Sequence, residues 1–217
     1  AVSFLVTVLL NRIRTNIEKI SENKTIKKEL QNLDGGKEEE NAFIEKMKFE
    51  NELILALKSN QFSMFLQPII DIPKQGIVGF EALIRWNSPK RGFVRPDIFM
   101  GIAEETSLII PLGQWVLENA CLEFSKVQKI VPEQKLFISI NVSGKQLQDP
   151  DFFDVLRATI KKHKIQPEQI KLEVTESILV EGEMVIDWLN QCKAHGFSIA
   201  LDDFGTGYSS LSYLSKL

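Results

Sequence analysis

The chain has 217 residues, 44% hydrophobic and 25% charged, with a formal net charge of -3, the composition of a globular protein with one sizeable core. This mildly acidic balance lacks the clustered Lys and Arg that phosphate contacts require, which excludes a nucleic-acid polymer as partner. Cys121 and Cys192 lie far apart without CxxC spacing or a histidine cluster, so buried free thiols in a reducing compartment are expected, not a disulfide scaffold or a zinc site.

Taken in chain order, the first segment is AVSFLVTVLL followed by NRIR. Residues 1–12 are too short to span a bilayer, which needs about 20 apolar residues. They read either as the tail of a longer membrane span, with Arg12 and Arg14 on its cytoplasmic side, or as a short packed strand or helix end. The absence of an initiating methionine suggests a start inside a longer product. Residues 13–50 are rich in Glu, Lys and Asn and read as a charged helical linker of two helices broken at Gly35 and Gly36. Ile13, Ile17 and Ile20 are heptad-spaced, but Lys24 interrupts the pattern, so a connecting helix is expected and not a sustained coiled coil.

From residue 51 onward the pattern changes. Five apolar strands, FSMFLQPIID, GIVGFEALIRW, KLFISINVSG, QIKLEVTES and FSIALDDFG, alternate with segments of helical period such as LIIPLGQWVLENACLEFSKVQKI and DPDFFDVLRATIKKHK. This alternation predicts an α/β architecture with a largely parallel sheet. His163, within KKHK, is expected to be solvated. His195, within KAHG, is expected to cap the last carbonyls of a helix.

Most strand cores deliver an oxygen-bearing side chain: Glu81, Asn141, Glu173 with Glu176, and Asp202 with Asp203. The last three strands recur at roughly 30 residues, the length of a strand plus a returning helix, so these groups converge where α/β folds place their sites, at the C-terminal ends of the strands. A single acid there is more often a helix cap. Five carboxylates and an amide together form a hard-oxygen set suited to Mg²⁺ or Mn²⁺. Adjacent aspartates repel unless a cation neutralises them, and two neighbouring ions are a recurring arrangement for phosphodiester hydrolysis.

In order and spacing, QPIID, FEALIRW, AEETSLIIPLGQWVLENAC, ISINVS, LEVTES and LDDFGTGYSSLSYL resemble the EAL domain, a family that hydrolyses cyclic di-GMP. The resemblance runs over residues 51–217. It implies a modified (β/α)₈ TIM-like barrel, incomplete here with about five of eight strands, and metal-dependent opening of one phosphodiester to give linear pGpG. Carried over, Glu81, Asn141, Glu173 and Asp202 are metal ligands, and Asp203 contacts the second of two Mg²⁺ or Mn²⁺ ions. Glu81, Asp203 and Glu176 are the expected catalytic group, with Glu176 steadying the loop GTGYSS. Gln67, Leu83 and Arg85 contact substrate, the fixed charge of Arg85 suiting a phosphate oxygen. Gly205 and Gly207 read equally as a strand-to-helix turn that needs positive φ and as a loop able to swing close to the ions.

Two departures stand out. Ser107 replaces the glycine of the family's ETGLI text, which reads as minor. The sequence also stops at Leu217, before the family's lysine near the reacting water, so this chain is expected to be a fragment with little or no activity of its own. The alternative to an enzyme is an inert cyclic di-GMP receptor signalling through the linker. The expected setting is a cytoplasmic catalytic domain, anchored to the inner membrane if residues 1–12 end a span. Cyclic di-GMP is the expected partner, and a homodimer is a further candidate association.

Overall fold

A computed structural model describes residues 36–175 and 183–202. The chain divides into two compact units between Glu52 and Leu53. Helix α1, Gly36–Lys58, runs from the first into the second, so Gly36 opens this helix; the helix expected before it and residues 1–12 lie outside the described residues. Among those described, no helix is long and apolar enough to cross a membrane.

The described strands of the second unit form one sheet. Strand β1 (Phe62–Asp71) forms an antiparallel hairpin with β2 (Gly76–Ser88), and the short β3 (Gly92–Val94) extends β2 on its far end. Helices α2 (Pro96–Glu105) and α3 (Ile109–Ile130) lead to β4 (Phe137–Asn141), which lies parallel to β2. A single helical turn, α4 (Gly144–Leu147), and α5 (Phe152–His163) return the chain to β5 (Ile170–Thr175); α6 (Glu183–Ala194) then returns it to β6 (Ser198–Asp202). The order is β1-β2-β4-β5-β6, with β3 on β2. All pairings from β2 through β6 along that path are parallel, and the described strands do not close into a ring. The sequence expectation missed β3. Three residues are too short to show an alternation, and they begin at Gly92, whose φ of 68° marks a turn.

Register decides which residues meet. Across β2, β4 and β5, Ala82, Ile140 and Leu172 align and face the helices, where they join Leu117, Cys121, Phe124, Leu156 and Trp188 in one buried cluster. Because side chains alternate along a strand, the intervening residues face the other way. A second group locks the hairpin to α2 and α3: the rings of Phe62, Trp86 and Phe99 lie 5.7–5.8 Å apart, Trp115 lies 5.4 Å from Phe62, and the Trp86 indole donates to Gln61 Oε1 at 3.0 Å. Such ring pairs contribute about 0.5–1.5 kcal/mol beyond their buried area.

Both cysteines are buried and free, and burial pushes each thiol up to about 12, with Glu118 adding to the effect at Cys121. His195 caps α6 as expected: its Nδ1 donates to Gln191 O at 2.7 Å, so Nε2 is the nitrogen that accepts from Arg157 Nη1 at 3.1 Å. His163 corrects the sequence reading. Its side chain is 8% exposed and its Nε2 lies 2.9 Å from Glu118 Oε1, because the last turn of α5 packs this position against α3 and leaves Lys161 and Lys162 to the solvent. Ser107 is not a minor change for the backbone. It joins α2 to α3 at a φ of 59°, the left-handed region that glycine adopts without a steric penalty.

Candidate active site

The face of the sheet turned away from the helices carries the candidate residues. Gln67 stands directly opposite Glu81 across the β1/β2 hairpin, Phe65 opposite Leu83, and Ser63 opposite Arg85. Glu81 aligns with Ser139 of β4, Asn141 with Glu173 of β5, and Thr175 with Asp202 of β6. Six side chains singled out from the sequence (Gln67, Glu81, Leu83, Arg85, Asn141 and Glu173) therefore share one face, and Asp202 joins them at the end of β6. Asp203, Glu176, Gly205 and Gly207 lie outside the described residues.

Hydrogen bonds tie this row together. The Asn141 amide donates from Nδ2 to Glu81 Oε1 at 3.1 Å, and the Ser139 hydroxyl donates to Glu173 Oε1. Arg85 donates from Nη1 to its neighbour's carbonyl, Ile84 O, at 3.0 Å, and its guanidinium carbon sits 5.8 Å from the Phe65 ring centre. One layer deeper, the Lys171 ammonium lies 3.9 Å from the ring centre of Phe137. That ring fits because residue 79 is glycine: a Cβ there would fall 2.8 Å from the ring carbons Cδ2 and Cε1 of Phe137.

Electrostatics mark Glu173 as the centre of the group. Burial raises its carboxyl above the ordinary value, and the negative charges of Glu81 and Asp202 push the same way; the Ser139 hydroxyl and the Lys171 ammonium oppose them. A carboxyl raised by neighbouring negative charge is one whose ionised form a divalent cation stabilises. The donor chemistry fits Mg²⁺ or Mn²⁺, all oxygen with no sulfur or imidazole. Among the described residues, no three acidic, histidine or cysteine side chains close into a metal-sized cluster. The amide of Asn141 stands beside these acids, and Asp203 lies outside the described residues.

Sequence reasoning missed Ser139 and Lys171. The alternation in FISIN puts Ser139 on the same face as Asn141, and the alternation in IKLEVT puts Lys171 on the face of Glu173; that signal was available.

The EAL domain family model matches residues 50–217, most of the chain. The chain belongs to the EAL domain family. Over 176 residues it is 36% identical to the bifunctional diguanylate cyclase/cyclic di-GMP phosphodiesterase MucR of Pseudomonas aeruginosa, covering 80% of this chain and 25% of that protein. Among solved structures, the EAL enzyme Bd1971 in its cAMP- and cyclic-di-GMP-bound form superposes with a TM-score of 0.76 at 38% identity, covering 81% of this chain and 49% of that one. The phosphodiesterase PaMucR in complex with c-di-GMP gives 0.73 at 35% identity, covering 78% and 69%. The chain thus spans about a quarter of the curated EAL relatives' length and about half of Bd1971. With these neighbours, the open, largely parallel sheet is an incomplete TIM-like barrel of the EAL type, and both of these solved neighbours are bound to cyclic di-GMP.

Proposed function

We propose that this EAL domain serves hydrolysis of cyclic di-GMP to linear pGpG, with turnover belonging to the intact protein. The observation that carries the reading is the shared sheet face on which Glu81, Asn141, Glu173 and Asp202 stand beside Gln67, Leu83 and Arg85, with Asn141 and Asp202 as the last residues of their strands. Glu81, Asn141, Glu173 and Asp202, with Asp203, are the residues that would hold two Mg²⁺ or Mn²⁺ ions. Such ions, when bound, supply charge neutralisation and an activated water for the displacement at phosphorus.

The chain's own residues do the remaining work. Asn141 fixes one oxygen of Glu81 by its 3.1 Å hydrogen bond, which leaves the other oxygen free to act as a ligand. Arg85 offers a permanent positive charge with a planar array of donors to a phosphate. Leu83 gives an apolar wall, and Gln67 supplies both a donor and an acceptor next to Glu81. Glu176 and the glycine loop Gly205 to Gly207 are proposed to steady and gate this mouth. Residues 1–12 are proposed as the end of a membrane anchor, 13–50 as a charged helical linker and 51–217 as a partial EAL domain, facing the cytoplasm.

The test is cyclic di-GMP binding by this chain in Mn²⁺, by calorimetry, together with product analysis on the intact protein. Binding that needs the cation and falls at least tenfold in Glu81→Gln and in Arg85→Ala supports the assignment. Cation-independent binding that both variants retain would sink it. Tight binding without any pGpG from the intact protein would identify a receptor.

A further inference from the structure

We propose that Ser139 is a positioning residue for Glu173: a sealed hydroxyl that fixes one carboxylate oxygen and turns the other toward the ion. The inference rests on the metal-site reading above and adds a residue to it. Ser139 is fully buried, at 0% exposure, in the middle of β4 between Ile138 and Ile140, which face the helices. A hydroxyl at such a position is costly unless it is bonded, and here it donates to Glu173 Oε1 on the neighbouring strand.

The geometry makes that bond directional. A glutamate's terminal torsion is broad, so an unanchored carboxylate presents either oxygen, or both, over a wide range of angles. Ser139 stands on the same strand face as Asn141, two residues earlier, and each holds a different carboxylate: Asn141 holds Glu81 at 3.1 Å and Ser139 holds Glu173. The two acids that flank β4 are therefore oriented from that one strand. Groups that orient a metal ligand in this way typically contribute 10–100-fold to metal affinity.

The experiment is Mn²⁺ titration of the metal-free chain, followed by electron paramagnetic resonance of the free ion, for wild type, Ser139→Ala, Glu173→Gln and the double variant. Melting curves of the metal-free proteins are recorded alongside. The expected result is a 10–100-fold weaker Mn²⁺ affinity in Ser139→Ala, at temperatures where it remains folded, and less than a twofold further change when Ser139→Ala is added to Glu173→Gln. A purely structural serine would lower the melting temperature and leave Mn²⁺ affinity in place. If Ser139→Ala does not fold, Ser139→Cys, close in size but a weak donor, carries the same comparison. Affinity within twofold of wild type, or an equal loss with and without Glu173, overturns the inference. If wild type itself binds no Mn²⁺, the metal-site reading fails and this inference falls with it.

Discussion

At Glu118 a single carboxylate collects two donors, Lys162 Nζ at 2.5 Å and His163 Nε2 at 2.9 Å, and so ties α5 to α3. Burial raises its carboxyl, but the bonds from Lys162 and His163 outweigh that and hold it below the ordinary 4.5. A carboxyl lowered by folding contributes stability that is present above its unfolded value and lost as pH falls through its folded value. The pair is solvent-screened, since the Glu118 side chain is 37% exposed, so the expected loss in Glu118→Gln at neutral pH is only about 0.2–1 kcal/mol. Urea denaturation at pH 7 and again well below 4.5 checks this: the gap between wild type and variant should close on the acid side. His163 explains why a charged text misled. KKHK reads as solvated when its four residues are taken together, but a helix turns each residue by about 100°, and the third points at α3.

Between elements, two positions show how the helices are set against the sheet. Ser107, at a φ of 59° between α2 and α3, bears a left-handed cost of about 1–2 kcal/mol that glycine avoids, less what glycine loses in chain entropy. Ser107→Gly should therefore stabilise the chain by about 0.5–1 kcal/mol in urea denaturation, whereas Ser107→Val should destabilise it. Gly113 in α3 is a packing glycine: a Cβ there would fall 1.9 Å from Gln146 Nε2, and Gln146 is buried with its Oε1 accepting from the Ser143 backbone at 3.0 Å. Gly113→Ala must push that amide off Ser143, at a cost of about 1–3 kcal/mol. The additional change Gln146→Ala should recover part of the loss; if it recovers none, the clash is elsewhere. These positions also mark what was legible in the sequence. The five long strands, their alternation with helices and the strand-end oxygens could be read, because period and spacing are local properties. The left-handed Ser107 and the Gly113 contact with Gln146 could not, since each depends on a partner distant along the chain or on a backbone angle that composition does not encode.

For the molecule as a whole, the net charge of -3 conceals two acids that respond to pH with opposite sign. Glu118 is stabilising when ionised. Glu173 is the reverse: burial and the charges of Glu81 and Asp202 raise its carboxyl above 4.5, so its share of stability is complete below that value and is lost as pH rises through the folded one. In the metal-free chain at neutral pH, Glu173 therefore opposes folding, and Glu173→Gln should raise the melting temperature there, with the advantage disappearing well below pH 4.5. Cation binding at the proposed site should reverse the comparison. A divalent cation favours the ionised carboxylate and binds only the folded state, so it stabilises by mass action. Wild type should gain melting temperature on addition of Mn²⁺ at pH 7 and gain much less near pH 4.5, while Glu173→Gln should gain little at either pH. Scanning calorimetry of both proteins, with and without Mn²⁺, gives all four comparisons in one series. A wild-type chain that Mn²⁺ stabilises equally at both pH values would show that Glu173 is not among the groups the cation holds.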